Sequence, residues 1–339
     1  MVKNRRSLQP GVALWCIKHS IWFILLGLGV MFGFLTRPHF LSSYNVLNVL
    51  RQAAPTLIIA IGMTFVIATR GIDLSVGSIV GMLSIVIGVL LQKGWDTVTI
   101  VGIAIASGIL AGAINGYFIS ALNLPPFIVT LATLTAFRGV ALTITKGYAV
   151  GIYNNAFLNL SRGRLWNIPY PVLIAGGLFL CGVIVLERTR LGVHCLAIGG
   201  REDAARVVGV RIRNVKWIAY IMTGMFAGVA AVLITSHLGN GSPRAGEYLE
   251  LDVITAVILG GTSLAGGEAT MTGTLAGALF VKFLGNGLDL LGINPFIVRI
   301  VTGGILLLGV LFNTVVATRI ARAIKVSFAE APSYGRYTR

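Results

Sequence analysis

Two blocks of this chain read almost alike. Residues 115–129 are NGYFISALNLPPFIV and residues 286–298 are NGLDLLGINPFIV. LAGA precedes both, at 110–113 and 275–278. Further upstream each half carries a short acidic segment, GIDLSVGS around Asp73 and LELDVITA around Asp252. A long internal repeat commits a chain to an architecture of two related halves. In an apolar chain, such halves are a known way to build a path through a membrane.

Composition supports the apolar premise. Of 339 residues, 56% are hydrophobic and 11% charged, against about 25% charged in a soluble domain. Apolar runs of about 20 residues span a bilayer as helices. The 43 glycines are nearly twice the usual roughly 7% and favour close helix approach. The expected fold is therefore an all-α polytopic membrane protein with about ten transmembrane helices. Their expected limits are 20–36, 53–69, 75–92, 97–120, 125–145, 170–186, 217–236, 251–266, 271–290 and 295–317. Residues 1–19 and 318–339 are then tails of a single membrane domain at 20–317, with a long basic connection at 187–216.

A net charge of +16 raises the possibility of a nucleic-acid partner, but its distribution points to membrane orientation instead. With both termini cytoplasmic, the inside segments hold 17 of the 27 Lys and Arg and the outside loops 7, leaving Arg138, Lys282 and Arg299 within spans. Cytoplasmic loops are enriched in Lys and Arg, so the expected orientation has both ends inside. Spans 3–5 and spans 8–10 carry the two copies, five spans apart. An odd offset turns one copy upside down, which makes the repeat an inverted one.

Several residues stand out against this background. Asp73 and Ser75 lie at the expected start of span 3, where a carboxylate caps free N–H groups or takes part in gating; Asp252 poses the same choice in the second half. Arg138 and Lys282 lie deep in spans, where a charge costs about 2.5–3.5 kcal/mol, and so either pair structurally or line a polar path. Arg299, close to Pro295, is placed to snorkel to the surface. The run 260–267, GGTSLAGG, contains Thr262 and is a poor continuous helix. It reads as a tight turn or as a break lining the path. Gly108, Gly112 and Gly116, with Gly273 and Gly277, form small-residue stripes for packing. In the basic connection, residues 199–209 read as a short helix. Glu202 and Asp203 occupy its first turn, Gly209 ends it, and Ala205, Val208 and Ile212 form an apolar stripe. That helix is either solvated or docks into a partner's groove.

The chain has no GxxxxGK[ST] phosphate loop, HExxH or GxSxG, and its four histidines are scattered. Cys16, Cys181 and Cys195 fit no metal spacing and read as reduced thiols. The apolar run after Lys3, Arg5 and Arg6 has no cleavage site and reads as an uncleaved first span. Catalysis, a metal centre and nucleotide hydrolysis on this chain are not expected.

GIDLSVGS (71–78), EDAARVVGV (202–210) and LELDVITAVILGGTSLAGG (249–267), in this order, resemble the ribose-type permease subunits of bacterial ATP-binding-cassette importers over roughly residues 40–312. The resemblance implies an inner-membrane subunit paired with a second permease copy. Two cytoplasmic ATP-binding subunits would carry ATP and Mg, and a periplasmic solute-binding protein would deliver a monosaccharide. It also implies that Glu202, Ala204, Ala205 and Gly209 belong to the segment on which the ATPase docks. Asp73, Ser75, Arg138, Asp252, Thr262 and Lys282 are the candidate translocation or gating residues. Arg70, Arg201 and Glu268 depart from the family's usual residues. A nucleoside or a furanone autoinducer as cargo, an ion-coupled transporter and a membrane scaffold are the competing expectations.

Overall fold

The computed structural model describes residues 20–329. The expected N-terminal tail with Cys16 and the last ten residues of the C-terminal tail lie outside them. The described chain is mostly helical: α1 (Ser20–Leu35), α2 (Ser43–Ala68), α3 (Val76–Gln92), α4 (Thr97–Ser120), α5 (Pro126–Thr145), α6 (Asn155–Arg162), α7 (Tyr170–Arg188), α8 (Arg190–Gly200), α9 (Glu202–Val207), α10 (Ile212–Leu238), α11 (Leu249–Leu259), α12 (Met271–Leu290) and α13 (Pro295–Ala329). Six of these, α2, α4, α5, α7, α10 and the Pro295–Phe312 part of α13, are long and apolar enough to cross a membrane, and α1 and α3 are shorter apolar helices.

Local chemistry sets many of the boundaries. The Ser42 hydroxyl accepts from Asn45 N at 3.3 Å, so α2 starts ten residues before the expected span and carries Pro55 inside it. Asp96 accepts from Thr99 N at 2.9 Å at the head of α4, and Thr270 accepts from Gly273 N at 3.3 Å at the head of α12. Pro126 and Pro295 open α5 and α13, where their missing N–H costs nothing. The duplicated block thus becomes the same local shape twice: a helix, a short turn and a proline-led helix. Beyond the expected end at 317, α13 continues unbroken to Ala329.

One expected span is shorter than predicted. In place of a helix over 251–266, α11 stops at Leu259, and residues 260–270 run irregularly with Gly261, Gly266 and Gly267 at positive φ. Eleven helical residues reach about 16 Å, roughly half the hydrocarbon thickness. The segment before α11 turns back along α3: Gly241 lies against Ser84 and Gly88, and Gly246 against Gly77 and Val80. The starts of α3 and α11 therefore meet inside the bundle.

Packing interlocks the halves. The helix before the first copy, α2, packs on α11 and α12 of the second; the helix before the second copy, α10, packs on α3 and α4 of the first. The α4–α10 crossing is set by glycine. A Cβ on Gly112 would overlap the Tyr220 carbonyl oxygen, and one on Gly224 would overlap the Gly108 carbonyl. The expected packing role of that stripe is what the structure contains. In the most apolar stretch of α2, 83% of the residues are buried; in that of α13 none is fully buried, though Val301, Ile305, Leu306 and Val310 pack partly buried against the cores. A second core joins α1 to α12 through Phe32, Phe40 and Phe280. Two short pairings, β1 (Val150–Gly151) with β4 (Asn240–Gly241) and β2 (Arg164–Leu165) with β3 (Ile168–Pro169), tie connections at the end of the bundle opposite α8 and α9.

Candidate functional site

A cavity of about 280 Å³ opens between the middle of α2, the end of α10 and the start of α11. Arg51, Gln52, His237, Glu247, Asp252 and Lys282 supply its polar lining, with Leu233, Leu249 and two prolines between them. Lys282 reaches Asp252 across from α12, and both side chains are largely buried, at 22% and 26% exposure. Two candidates 30 residues apart in sequence are thus one ion pair, and the pair lines the cavity. Both signs of charge beside amide and imidazole groups form a wall that hydrogen-bonds a polar solute without demanding net charge.

The two helix starts beside this cavity carry the other candidates. Asp73 is fully buried. Its Oδ1 accepts from Ser75 N at 2.9 Å and from Ser75 Oγ at 2.6 Å. Ser75 Oγ in turn accepts from Asn115 Nδ2 at 2.8 Å. Asp73 therefore folds the approach to α3 into an Asx turn and ties it to α4. The N–H that Asp73 binds is that of Ser75, the N-cap residue of α3. Above it, Arg138 on α5 donates to the carbonyls of Pro243, Ala245 at 3.2 Å and Gly77 at 3.3 Å. Arg138 thus holds the returning segment to the start of α3, close to Glu250 and Glu247. Thr262 is buried in the irregular stretch after α11, its N–H bonded to Val257 O at 3.2 Å. Arg299 is exposed, and its guanidinium lies 4.5 Å from the Tyr248 ring centre, a cation–π contact.

At the opposite end, the basic connection forms two helices rather than one. Gly199 and Gly200 close α8 instead of opening the next helix, because Arg70 binds both of their carbonyls. Glu202 then begins α9, as expected, and pairs with Lys216 at 2.7 Å and with Arg206 at 3.4 Å. Gly209, at φ +83°, ends the segment. The expected stripe is split. Ala205 and Ile212 are buried, whereas Val208 is 76% and Val207 87% exposed, because α9 stops at Val207 and the turn carries Val208 off the helical face. Ala204 is also exposed. A second cavity of about 210 Å³ lies beside this segment, between Arg70, Asn123, Pro125, Glu202, Lys216 and Tyr220. Among the described residues no group of three or more His, Cys, Asp or Glu is placed to hold a metal, and Cys181 and Cys195 are free thiols.

Arg51, Gln52, His237 and Glu247 carried no sequence signal, since they sit inside one helix, at the end of another and in a loop that only folding brings together. Asn115 did carry one: it is a polar residue in an apolar helix, repeated as Asn286. Asn286 forms a reciprocal amide pair with Asn45, at 2.8 and 3.0 Å.

Helices long and apolar enough to cross a membrane, polar cavities between them and a small helical segment displayed at one end fit a membrane permease. Comparison with known proteins agrees. A family model described as branched-chain amino acid transport system / permease component matches residues 45–310, and the chain belongs to this permease family. It is 40% identical to the ribose import permease protein of Bacillus subtilis over 86% of this chain and 91% of that protein. It is 38% identical to the ribose import permease protein of Escherichia coli K12, over 88% of this chain and 94% of that one. The xylose transport system permease protein of Haemophilus influenzae is 32% identical, over 87% of this chain and 96% of its own. No solved structure matches the chain.

Proposed function

We propose that this protein is the membrane-spanning subunit of an ATP-driven importer for a monosaccharide, a pentose such as ribose or xylose. The match to ribose and xylose permeases over nearly the whole chain carries the reading. The lining of the larger cavity supports it, because carboxylate, guanidinium and amide groups suit a neutral polyhydroxylated solute. In this reading ten helices span the bacterial inner membrane, both termini are cytoplasmic, and spans 3–5 and 8–10 form an inverted pair. The larger cavity then faces the periplasm, where a solute-binding protein delivers the sugar, and the smaller faces the cytoplasm.

The α8–α9 segment is the docking site for ATP-binding subunits. Val207 and Val208 enter a partner's groove, Ala205 anchors the helix from beneath, Gly209 shapes its end, and Glu202 fixes it to α10 through Lys216. ATP and Mg bind on those partner chains. Asp73, Ser75, Arg138 and the Asp252–Lys282 pair hold the two helix starts that flank the path, and Thr262 sits in its irregular end. A second permease copy completes the transmembrane unit.

The test is reconstitution in proteoliposomes with the ATP-binding and binding-protein partners. Labelled ribose or xylose should accumulate only with ATP and with all components present. Accumulation by this chain alone, driven by a proton or sodium gradient, would overturn the proposal. Uptake of a nucleoside or a furanone in place of pentose would change the cargo and keep the machinery.

A further inference from the structure

We infer that Arg70 is a positioning residue that makes the docking segment and both halves of the bundle move as one body. The inference rests on the proposed docking role of α8–α9 and deepens it. Three backbone segments meet at Arg70 with almost no side chain between them. Ala68 ends α2, Gly199 and Gly200 end α8, and Gly266 and Gly267 lie in the irregular stretch after α11. Arg70 donates from Nε to Gly199 O at 2.7 Å and from Nη2 to Gly200 O at 2.9 Å. These are terminal carbonyls of α8, the negative end of a helix, where a cation is favoured. Gly267 N donates to Ala68 O at 3.1 Å. A Cβ on Gly267 would sit 2.8 Å from Gly200 Cα, and one on Gly199 would overlap the Ala68 carbonyl. A Cβ on Gly266 would sit 2.5 Å from Arg70 Cγ, so the arginine stem fills the space beside that glycine.

Arg70 holds this position at φ +64°, a region that a long side chain seldom occupies and that persists where the surroundings over-determine it. The geometry gives the reason. α2 belongs with the first half, residues 266–267 with the second, and α8–α9 is the connection between them. A push on α9 reaches α2 through this junction as well as through α10, to which Lys216 ties Glu202, and the bidentate arginine is the charged link at the junction. Its planar fork matches two adjacent carbonyls in a way that a lysine ammonium does not.

Arg70→Ala and Arg70→Lys are compared with wild type in the assembled importer, reading pentose uptake and ATP hydrolysis together. Arg70→Ala should lower uptake about tenfold, within the 5–150-fold range of site-to-site coupling, while ATP hydrolysis stays within about twofold. ATP spent per sugar then rises, and Arg70→Lys restores only part of the loss. Proportional loss of uptake and hydrolysis, or no change in either, overturns the inference. A second readout does not depend on cargo. Amide hydrogen exchange on the purified chain should rise in 199–208 and 260–268 together in Arg70→Ala, and unchanged exchange there also overturns it. If the wild-type complex takes up no pentose, the cargo proposal fails by itself and the exchange result still decides the role of Arg70.

Discussion

At the scale of single residues, buried polar groups act through the partner they keep. Asp73 is the acceptor for both the N–H and the hydroxyl of Ser75 in a site closed to water. Asp73→Ala should cost about 1–3 kcal/mol, the usual penalty for stranding buried donors, and Asp73→Asn should cost less because an oxygen remains. Thermal unfolding in detergent checks the order of the three proteins. The Asp252–Lys282 pair calls for a double-mutant cycle. Lys282→Met leaves a largely buried carboxylate uncompensated, and Asp252→Asn in the same chain should recover part of the loss, with an interaction energy of about 0.5–3 kcal/mol. Strict additivity in melting and uptake would show that the pair contributes nothing. Asp96 gives a pH signature. The hydrogen bonds from Thr99 hold its carboxyl below the ordinary 3.8. A folded value below the unfolded one means that this stabilisation is present above the unfolded value and lost as pH falls through the folded one. Melting temperature should therefore drop on acidification through and below the ordinary carboxylate range. Asp96→Asn, still able to cap, should remove that part of the dependence.

Among helices, close approach decides tolerance. Gly112→Leu must drive a side chain into the Tyr220 carbonyl at the α4–α10 crossing, whereas Gly102 on the same helix faces open space. Gly112→Leu should abolish folded yield by gel filtration, and Gly102→Leu should leave it near wild type; equal yields would remove the crossing from the account. The apolar helices were legible because apolar runs and helix-start residues are local properties. Their ends were less so. The helix expected from residue 53 starts ten residues earlier, and a run apolar enough to span, 251–266, stops at Leu259. Its glycines adopt positive φ to pack against α2 and α8, a demand set by distant backbone. The short helix at 202–207 was readable from Glu202, Asp203 and Gly209; the exposure of Val208 was not, because it depends on where the helix stops.

Across the whole molecule, α2 and α10 each pack on the opposite copy, so the two halves share one packed core. The cavity near His237 and Lys282 and the cavity near Asn123 and Lys216 lie at opposite ends of this interlocked core. In an alternating importer they should open in turn. Single cysteines at Thr56 and Asn123, in a chain cleared of Cys16, Cys181 and Cys195, should change labelling rate in opposite directions when the ATPase partners are trapped with ADP and vanadate. Parallel changes would rule out alternation between these two cavities.

The residue order alone settled what depends on neighbours along the chain: a helical membrane protein, its apolar segments, its repeated block and the missing nucleotide-binding loop. Hydrophobicity and helix caps act over a few residues, so they survive being read in one dimension. Folding decided which charges meet. Lys282 finds Asp252, Arg138 finds the carbonyls around Gly77, and Arg70 finds the end of α8, each across scores of residues or from helix to helix. Those partners follow from glycine-controlled helix approach and from a span cut to half its length. Such distances are fixed only when the whole bundle closes.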